Sequence, residues 1–201
     1  MNTPHTLRIQ RALCPAVRYS PRRPARGFTL VEMLITVAVA AVLLGIGIPS
    51  MKSIIDSMRL TSVSNDFLSH LVLARSEAIK RNSRVVLCKS ADGASCASAG
   101  GWEQGWIVFH DVNDNGVLDA GEAVIARQQV LAGGLRVTGN QTVAQYVSFA
   151  PSGATKLVGG GFQAGTVTLC RHSAFRNEAR QIVLNAVGRP RVQKVEVDQC
   201  N

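Results

Sequence analysis

Aromatic side chains are scarce in this chain: Phe, Trp and Tyr make up 5% of its 201 residues, although 46% of the residues are hydrophobic. The apolar content is therefore mostly aliphatic and must be concentrated in particular segments. It is too high, and the net charge per residue too low, for an intrinsically disordered protein. The length suffices for one domain with a hydrophobic core and argues against a multidomain enzyme.

The usual patterns of catalytic and metal-binding residues are also missing. His70, His110 and His172 stand at no recognisable spacing from Ser, Cys or Asp, and the sequence has no phosphate-binding glycine loop. Zinc-ligand spacings such as Cys-x2-Cys do not occur. The sequence therefore predicts that the protein is not an enzyme and has neither a zinc site nor an organic cofactor.

Acidic residues are absent from positions 1–27, where six arginines supply six of the nine net positive charges of the chain. Taken whole, a net charge of +9 suggests an anionic partner such as nucleic acid or a membrane surface. Residues 28–201 carry 16 basic and 13 acidic side chains, which leaves them only +3. An anionic partner is therefore indicated only by the positions of those later charges, not by the total.

A long apolar segment follows at residues 28–48, with Glu32 as its one charged residue. At a rise of about 1.5 Å per residue, a helix of this length crosses a hydrocarbon layer of about 30 Å. The arginines ahead of it predict that the amino terminus stays in the cytoplasm and the rest lies across the membrane. A cleaved secretory signal ending near Gly45-Ile46-Gly47 is the alternative. Glu32 argues against it, because an unpaired carboxylate in an apolar helix is costly.

The string RGFTLVE, from Arg26 to Glu32, resembles the class III leader junction of type IV pilins and type II secretion pseudopilins. The resemblance implies that the prepilin peptidase removes leader 1–27 after Gly27 and that the new terminus, Phe28, is N-methylated. It also implies that Glu32 pairs with the terminal amine of a neighbouring subunit during filament assembly. A buried charge needs such a buried partner.

A second helical pattern follows the apolar segment. Its apolar residues recur at spacings of three and four, which predicts an amphipathic half of the same helix over residues 49–82. We expect Pro49 to be its weak point, because proline removes a backbone hydrogen bond. The apolar face, expected to pack on a sheet of the same domain, consists of Leu60, Val63, Phe67, Leu71, Ala74 and Ala78.

Beyond Asn82 the hydrophobic period changes to two, and turn residues cluster at 93–101, 132–140 and 152–165. One helix followed by six or seven short strands predicts an α+β fold, with an antiparallel β-sheet domain over residues 83–201 packed on the helix. The predicted strands are Arg84–Lys89, Gly105–His110, Ala123–Val130, Gln145–Ala150, Thr166–Arg171, Arg180–Asn185 and Arg191–Val197.

The stretch from Leu73 to Gly116 resembles the FimT/GspH family of minor pilins and pseudopilins, and the carboxyl-terminal string GRPRV is consistent with it. The resemblance implies a type IV pilin-like fold and assembly with other pilins or pseudopilins. It implies a single-pass protein of the bacterial inner membrane with its globular domain in the periplasm, and later a place in a pilus at the cell surface.

Four cysteines follow the leader: Cys88, Cys96, Cys170 and Cys200. An even number in an exported domain predicts disulfides. Four cysteines allow three pairings, and we favour Cys88 with Cys96 and Cys170 with Cys200. The first would close a short Gly/Ser loop and the second would fix the carboxyl-terminal tail to a strand, each contributing about 2–4 kcal/mol.

Residues 90–126 form an acidic region, which contains six carboxylates and neither Lys nor Arg. Within it, Asp111 to Glu122 fits the twelve-residue calcium-loop pattern, including the glycine at Gly116. The flanking segments look like strands, whereas an EF-hand has helices there. The favoured interpretation is a β-hairpin turn built from Asn, Asp and Gly, with calcium binding as the alternative.

The carboxyl-terminal part carries a basic cluster with a net charge of +5 over residues 171–194. In Gly188-Arg189-Pro190-Arg191, glycine permits a tight turn, proline stiffens it, and arginine forks suit phosphate oxygens. The resemblance adds that DNA-binding FimT-type minor pilins carry a GRxR motif here. The predicted DNA-binding residues are Gly188, Arg189, Arg191, Lys194, Arg180, Arg171 and Arg176.

Few aromatic residues accompany the basic cluster, so base stacking should be minor, and DNA contacts should be non-specific, to phosphates, and salt-sensitive. The favoured hypothesis is a FimT-like minor pilin that binds extracellular DNA for uptake in natural transformation. Two alternatives need no DNA: a GspH-like pseudopilin of a type II secretion system, or a minor pilin acting only in pilus assembly. In both, the GRPR string would be a solvated turn.

Overall fold

The computed structural model describes residues 27–173 and 175–200, without the side chains of residues 46–50, 52 and 53. Residues 1–26 of the predicted leader, and the side chain of Pro49, lie outside this description. The chain divides into two units, Met1–Gly45 and Ile46–Asn201. The division falls within the long helix, close to the predicted boundary between its two halves.

The described part of the first unit is the beginning of helix α1, which runs Leu30–Arg81. Thr29 and Glu32 form a capping box: the Glu32 N–H donates to Thr29 Oγ1 at 3.2 Å, and the Thr29 N–H donates to the Glu32 carboxylate at 3.4 Å. The Thr-x-x-Glu spacing is typical of a capping box, but sequence reasoning missed this local role of Glu32. Among the described residues, none of the helices combines the length and apolar character that crossing a membrane requires.

The second unit contains the rest of α1 and a set of antiparallel strands. Seven of them correspond to predicted strands. The eighth, β4, lies in the segment 132–140 that sequence reasoning assigned to a turn cluster, and that assignment was wrong. The strands are β1 Arg84–Lys89, β2 Trp106–Asp111, β3 Val124–Gln128, β4 Leu135–Gly139, β5 Tyr146–Phe149, β6 Gly165–Arg171, β7 Asn177–Leu184 and β8 Pro190–Val197.

The strands form two four-stranded sheets rather than the one sheet expected, in the orders β3-β2-β1-β5 and β4-β6-β7-β8. All the neighbouring pairs are antiparallel. The α+β class and the helix-on-sheet architecture are confirmed. Strands β7 and β8 pair down to Leu184 and Pro190, so residues 185–189 form the hairpin loop, which we call the β7–β8 loop.

One hydrophobic core joins both sheets to the second half of α1. The predicted apolar face of the helix is confirmed, since all six of its residues are buried. They pack in one cluster with Leu87 of β1 in the first sheet and Ile182 of β7 in the second. Phe67 is fully buried and makes edge-on contacts with Trp102 and Trp106, at ring-centroid distances of 5.1 and 5.0 Å.

Both disulfides of the favoured pairing are present. Cys88 in β1 is bonded to Cys96, with a Cα–Cα distance of 5.6 Å, and closes the loop after that strand. Cys170 in β6 is bonded to Cys200, with a Cα–Cα distance of 6.0 Å, and holds the carboxyl-terminal tail on the second sheet. These distances are within the ordinary range for a disulfide.

Candidate nucleic-acid interface

The β7–β8 loop forms the tight turn expected from its sequence. The Gly188 N–H donates to the Asn185 carbonyl at 2.9 Å, and Gly188 has a φ of +75°. The Arg189 N–H donates to Asn185 Oδ1, also at 2.9 Å. Both arginines of the GRPR string are exposed beyond this turn. The turn therefore presents Arg189 from the loop and Arg191 from the second position of β8, beside a backbone held by two hydrogen bonds to a single asparagine.

Two glycines allow the β7–β8 loop to approach the helix. A Cβ on Gly188 would overlap the carbonyl oxygen of Gly153, in the turn after β5. A Cβ on Gly153, whose φ is +75°, would lie 2.8 Å from Ile79 Cδ1 and 3.1 Å from Arg75 Nε on α1. The β7–β8 loop thus packs on the turn after β5 at Gly188, and that turn packs on α1 at Gly153.

A groove of about 500 Å³ lies where these three segments meet. Arg189 lines the groove from the loop, and Arg75 lines it from α1. The Nε of Arg75 is buried and has no hydrogen-bond partner among the described residues. Sequence reasoning missed Arg75, because nothing in the chain links position 75 to position 189. The lining residues, none of them acidic, are Arg75, Ser152, Ala154, Asn185, Val187 and Arg189.

Two other predicted DNA-binding residues share one carboxylate on β7. Arg180 is buried, and its Nη1 lies 2.6 Å from Glu178 Oε1. Lys194 on β8 forms an ion pair with the same carboxylate. Glu178 also accepts a hydrogen bond from the Ser57 hydroxyl of α1 at 2.9 Å. These cations therefore help to fix the second sheet on the helix, and Glu178 balances part of their charge.

The remaining two predicted cations are also paired. Arg171 on β6 forms an ion pair with Asp56 of α1, and the Arg176 guanidinium lies 3.0 Å from Glu196 on β8. By contrast, Arg189 of the β7–β8 loop and Arg191 of β8 have no acidic partner within residues 27–173 and 175–200. The structure thus separates the predicted basic cluster into four paired cations and two unpaired ones.

The hydrogen bonds that Glu178 accepts, first from Lys194 and then from Arg180 and Ser57, lower the pKa of its carboxyl to about 2 from an ordinary value of 4.5. A carboxyl whose pKa is depressed by folding stabilises the folded state fully above its unfolded pKa. That contribution is lost as the pH falls from about 4.5 towards 2.

We therefore expect Glu178→Gln to lower the Tm at pH 6, and the difference from the parent to shrink as the pH falls from 5 to 2.5. Thermal unfolding followed by circular dichroism across this range measures it. Asp66→Asn, which removes an exposed carboxylate of α1 that has no ion-pair partner among the described residues, controls for the loss of one negative charge. A difference in Tm that stays constant with pH would contradict the ion-pair account.

The acidic loop lies between β2 and β3, so its flanks are strands, as the hairpin interpretation requires. Asp111 is buried, and its carboxylate accepts hydrogen bonds from the N–H groups of Asn115 and Gly116 at 3.1 and 2.9 Å. Burial nevertheless raises the pKa of Asp111. The Arg84 guanidinium lies 2.8 Å from Asp114 in the same loop.

Over the part of the chain that the structure describes, no three His, Cys, Asp or Glu side chains are grouped so as to hold a metal ion. In the acidic loop, Glu122 accepts hydrogen bonds from the N–H groups of Val112 and Asp119 at 2.7 and 3.1 Å. Calcium binding by this loop stays the alternative to the favoured hairpin turn.

Two family models match the chain. The model described as type II transport protein GspH matches residues 63–188, which include most of the core and the β7–β8 loop up to Gly188. The model described as the prokaryotic N-terminal methylation motif matches residues 22–48, which include Gly27, Phe28 and Glu32.

Individual proteins are similar to the chain as well. The pilin-like protein PilA1 of Thermus thermophilus is 32% identical over 97 residues, which are 48% of this chain and 55% of that protein. The chain thus matches about half the length of this curated relative. Two crystal forms of the type IV minor pilin FimU of Pseudomonas aeruginosa superpose with TM-scores of 0.52 and 0.50 at 18% identity. They cover 71% of this chain and 95% and 100% of their own, and at that identity the likeness concerns the fold.

Proposed function

The chain belongs to the family of type II transport protein GspH, which makes it a minor pilin or pseudopilin, and from this premise we propose that it is a FimT-like minor pilin that binds DNA. Members of this family are structural components that assemble with other pilins in a filament. The methylation motif implies an association with the pilus or the cell envelope. Binding of extracellular DNA for uptake in natural transformation is the specific role proposed here.

The observation that carries the proposal is the pair of exposed arginines without an acidic partner, Arg189 in the β7–β8 loop and Arg191 at the start of β8. Arginine forks bind phosphate oxygens in a bidentate manner, and a turn fixed by hydrogen bonds reduces the entropy lost on binding. Contacts to phosphates carry no base information, so the binding is non-specific in sequence and weakens steeply with salt. The role is binding and assembly rather than catalysis.

Processing and location follow from the leader junction. The prepilin peptidase cleaves after Gly27, Phe28 is N-methylated, and residues 28–48 hold the subunit in the inner membrane until it enters the pilus. In the single chain, the Glu32 carboxylate accepts a hydrogen bond from the Thr29 N–H. In the filament, the terminal amine of a neighbouring subunit becomes a charged partner for that carboxylate, which is a stronger interaction than a neutral donor offers.

The test is DNA binding by the full chain in detergent, measured by gel shift at low salt. We expect Arg189→Ala combined with Arg191→Ala to weaken binding about tenfold or more, and to reduce the salt dependence by about one unit of slope per lost phosphate contact. A matched control, Lys80→Ala combined with Arg81→Ala, removes two cations that pair with Glu77 on α1.

Two outcomes would contradict the proposal. One is a parent protein that does not bind DNA at low salt, and the other is an arginine double variant that binds as tightly as the parent. Either result would favour a GspH-like pseudopilin of a type II secretion system, or a minor pilin that serves only pilus assembly.

A further inference from the structure

The groove beside the β7–β8 loop contains a cation from a distant part of the chain. Arg75 lies in the last two turns of α1, and its side chain lines the groove with Arg189. Because Gly153 has no Cβ, the turn after β5 can pack directly on Arg75 and Ile79. The fold therefore brings a guanidinium carried by a helix next to one carried by a loop.

The Arg75 guanidinium is incompletely satisfied by the protein. Its Nε is buried from solvent and has no hydrogen-bond acceptor among the described residues. A buried donor without an acceptor is unfavourable, so such groups are rare and call for an explanation, a bound ligand being one. The Arg75 side chain also lines the groove, and no carboxylate pairs with its guanidinium among the described residues, so an oxyanion there would meet a cation that the protein leaves unbalanced.

Nearby cations on the same helix behave differently. Lys80 and Arg81 both contact the Glu77 carboxylate, at 3.3 and 2.7 Å, so their charge is balanced locally. Arg75 has no such carboxylate within the described part of the chain, and no acidic residue lines the groove. The charge of Arg75, which lies beside the β7–β8 loop, is thus not balanced by a neighbouring carboxylate of the described residues.

We propose that this groove binds one phosphodiester group of DNA, with Arg75 and Arg189 as its two anchors and the Ser152 hydroxyl as a further donor. The inference rests on the proposed function and adds a residue outside the GRPR string. Two guanidinium groups can donate to separate oxygens of one phosphate. Since Arg75 is held on a long helix and packed by Gly153, it is oriented before DNA arrives, which favours binding.

The experiment compares Arg75→Gln with the parent by fluorescence anisotropy, using the full chain in detergent and a labelled duplex across a salt series. We expect about a five- to tenfold loss of affinity at low salt, equal for unrelated DNA sequences, and a shallower salt slope by about one unit. Lys80→Gln, which removes a charge from the same helix outside the groove, should change affinity less than about twofold.

The outcomes separate this inference from the function on which it rests. One outcome is that Arg75→Gln binds DNA as tightly as the parent while the double variant Arg189→Ala with Arg191→Ala binds more weakly. In that case phosphate binding in the groove is wrong and the DNA-binding proposal stands. If neither differs from the parent, both fail. An equal loss in Lys80→Gln and Arg75→Gln would show a general charge effect and overturn the groove.

A structural role of Arg75 is tested separately. Thermal unfolding shows whether Arg75→Gln folds like the parent, and a loss of stability alone would not change the salt slope. Arg75→Lys keeps the charge but lacks the planar fork, so it should retain the parent salt slope while losing affinity about threefold or more. Parent affinity in a folded Arg75→Lys variant would overturn the two-arginine contact.

Discussion

Replacing Gly188 by alanine is expected to lower the free energy of unfolding by about 2–5 kcal/mol and to abolish most DNA binding. A non-glycine residue in the left-handed region costs about 1–2 kcal/mol, and Gly188 has a φ of +75°. In addition, the new Cβ would overlap the carbonyl oxygen of Gly153, a backbone atom that cannot rotate away. Overpacking of this kind typically costs a further 1–3 kcal/mol or so.

Gly134→Ala is the matched control, because it separates the two terms. Gly134 has a φ of +68°, but its added Cβ would meet nothing within 4 Å. Only the backbone term of about 1–2 kcal/mol then remains. Urea unfolding measures both variants, and gel shift follows DNA binding. Equal destabilisation by the two substitutions would refute the close contact between the loop and the turn.

The second large effect is expected at Phe67, where alanine should lower the free energy of unfolding by about 3–5 kcal/mol. Phe67 is completely buried on the helix face that joins the two sheets. Its ring contacts Trp102 and Trp106 edge-on, and such aromatic pairs add to the free energy of burial. A cavity at this point would remove the contacts that hold the helix on the first sheet.

The measurement for Phe67→Ala is urea unfolding followed by both circular dichroism and tryptophan fluorescence. The two tryptophans that Phe67 contacts are the only ones in the chain, so the fluorescence reports directly on this contact. Phe162→Ala, at a position that is 79% exposed, should change stability by less than about 0.5 kcal/mol. A loss below about 1 kcal/mol at Phe67 would contradict the assignment of this residue to the centre of the core.

Local pattern was enough to predict α1 and most strands. The three- and four-residue spacing from Leu60 to Ala78 identified the buried face because that face is apolar at every turn. Strand β4 was missed because it has five residues and follows Gly133 and Gly134. Its pairing with β6, about thirty residues further on, makes it a strand, and a local pattern does not contain that information.

The candidate site, too, was predictable only in part. The tight turn at Gly188 was predictable because glycine and proline act through their own backbone preferences. The ion pair between Arg171 and Asp56 was not, since it joins residues 115 positions apart in the chain. The same separation hid the approach of Arg75 to the loop. Sequence reasoning therefore located the exposed arginines but could not tell them from the cations that are paired inside the fold.

The contact between the two glycines also has a mechanical consequence. A force applied at Arg189 acts first on the β7–β8 loop. This loop packs on the turn at Gly153, which in turn packs on Ile79 of α1. Tension applied at the loop along the β7–β8 hairpin would load the six paired positions between β7 and β6 at once instead of opening them one after another. A strand ladder stretched in this shearing direction resists far more force than one that is peeled. The loop is thus attached in a way suited to holding a ligand under traction.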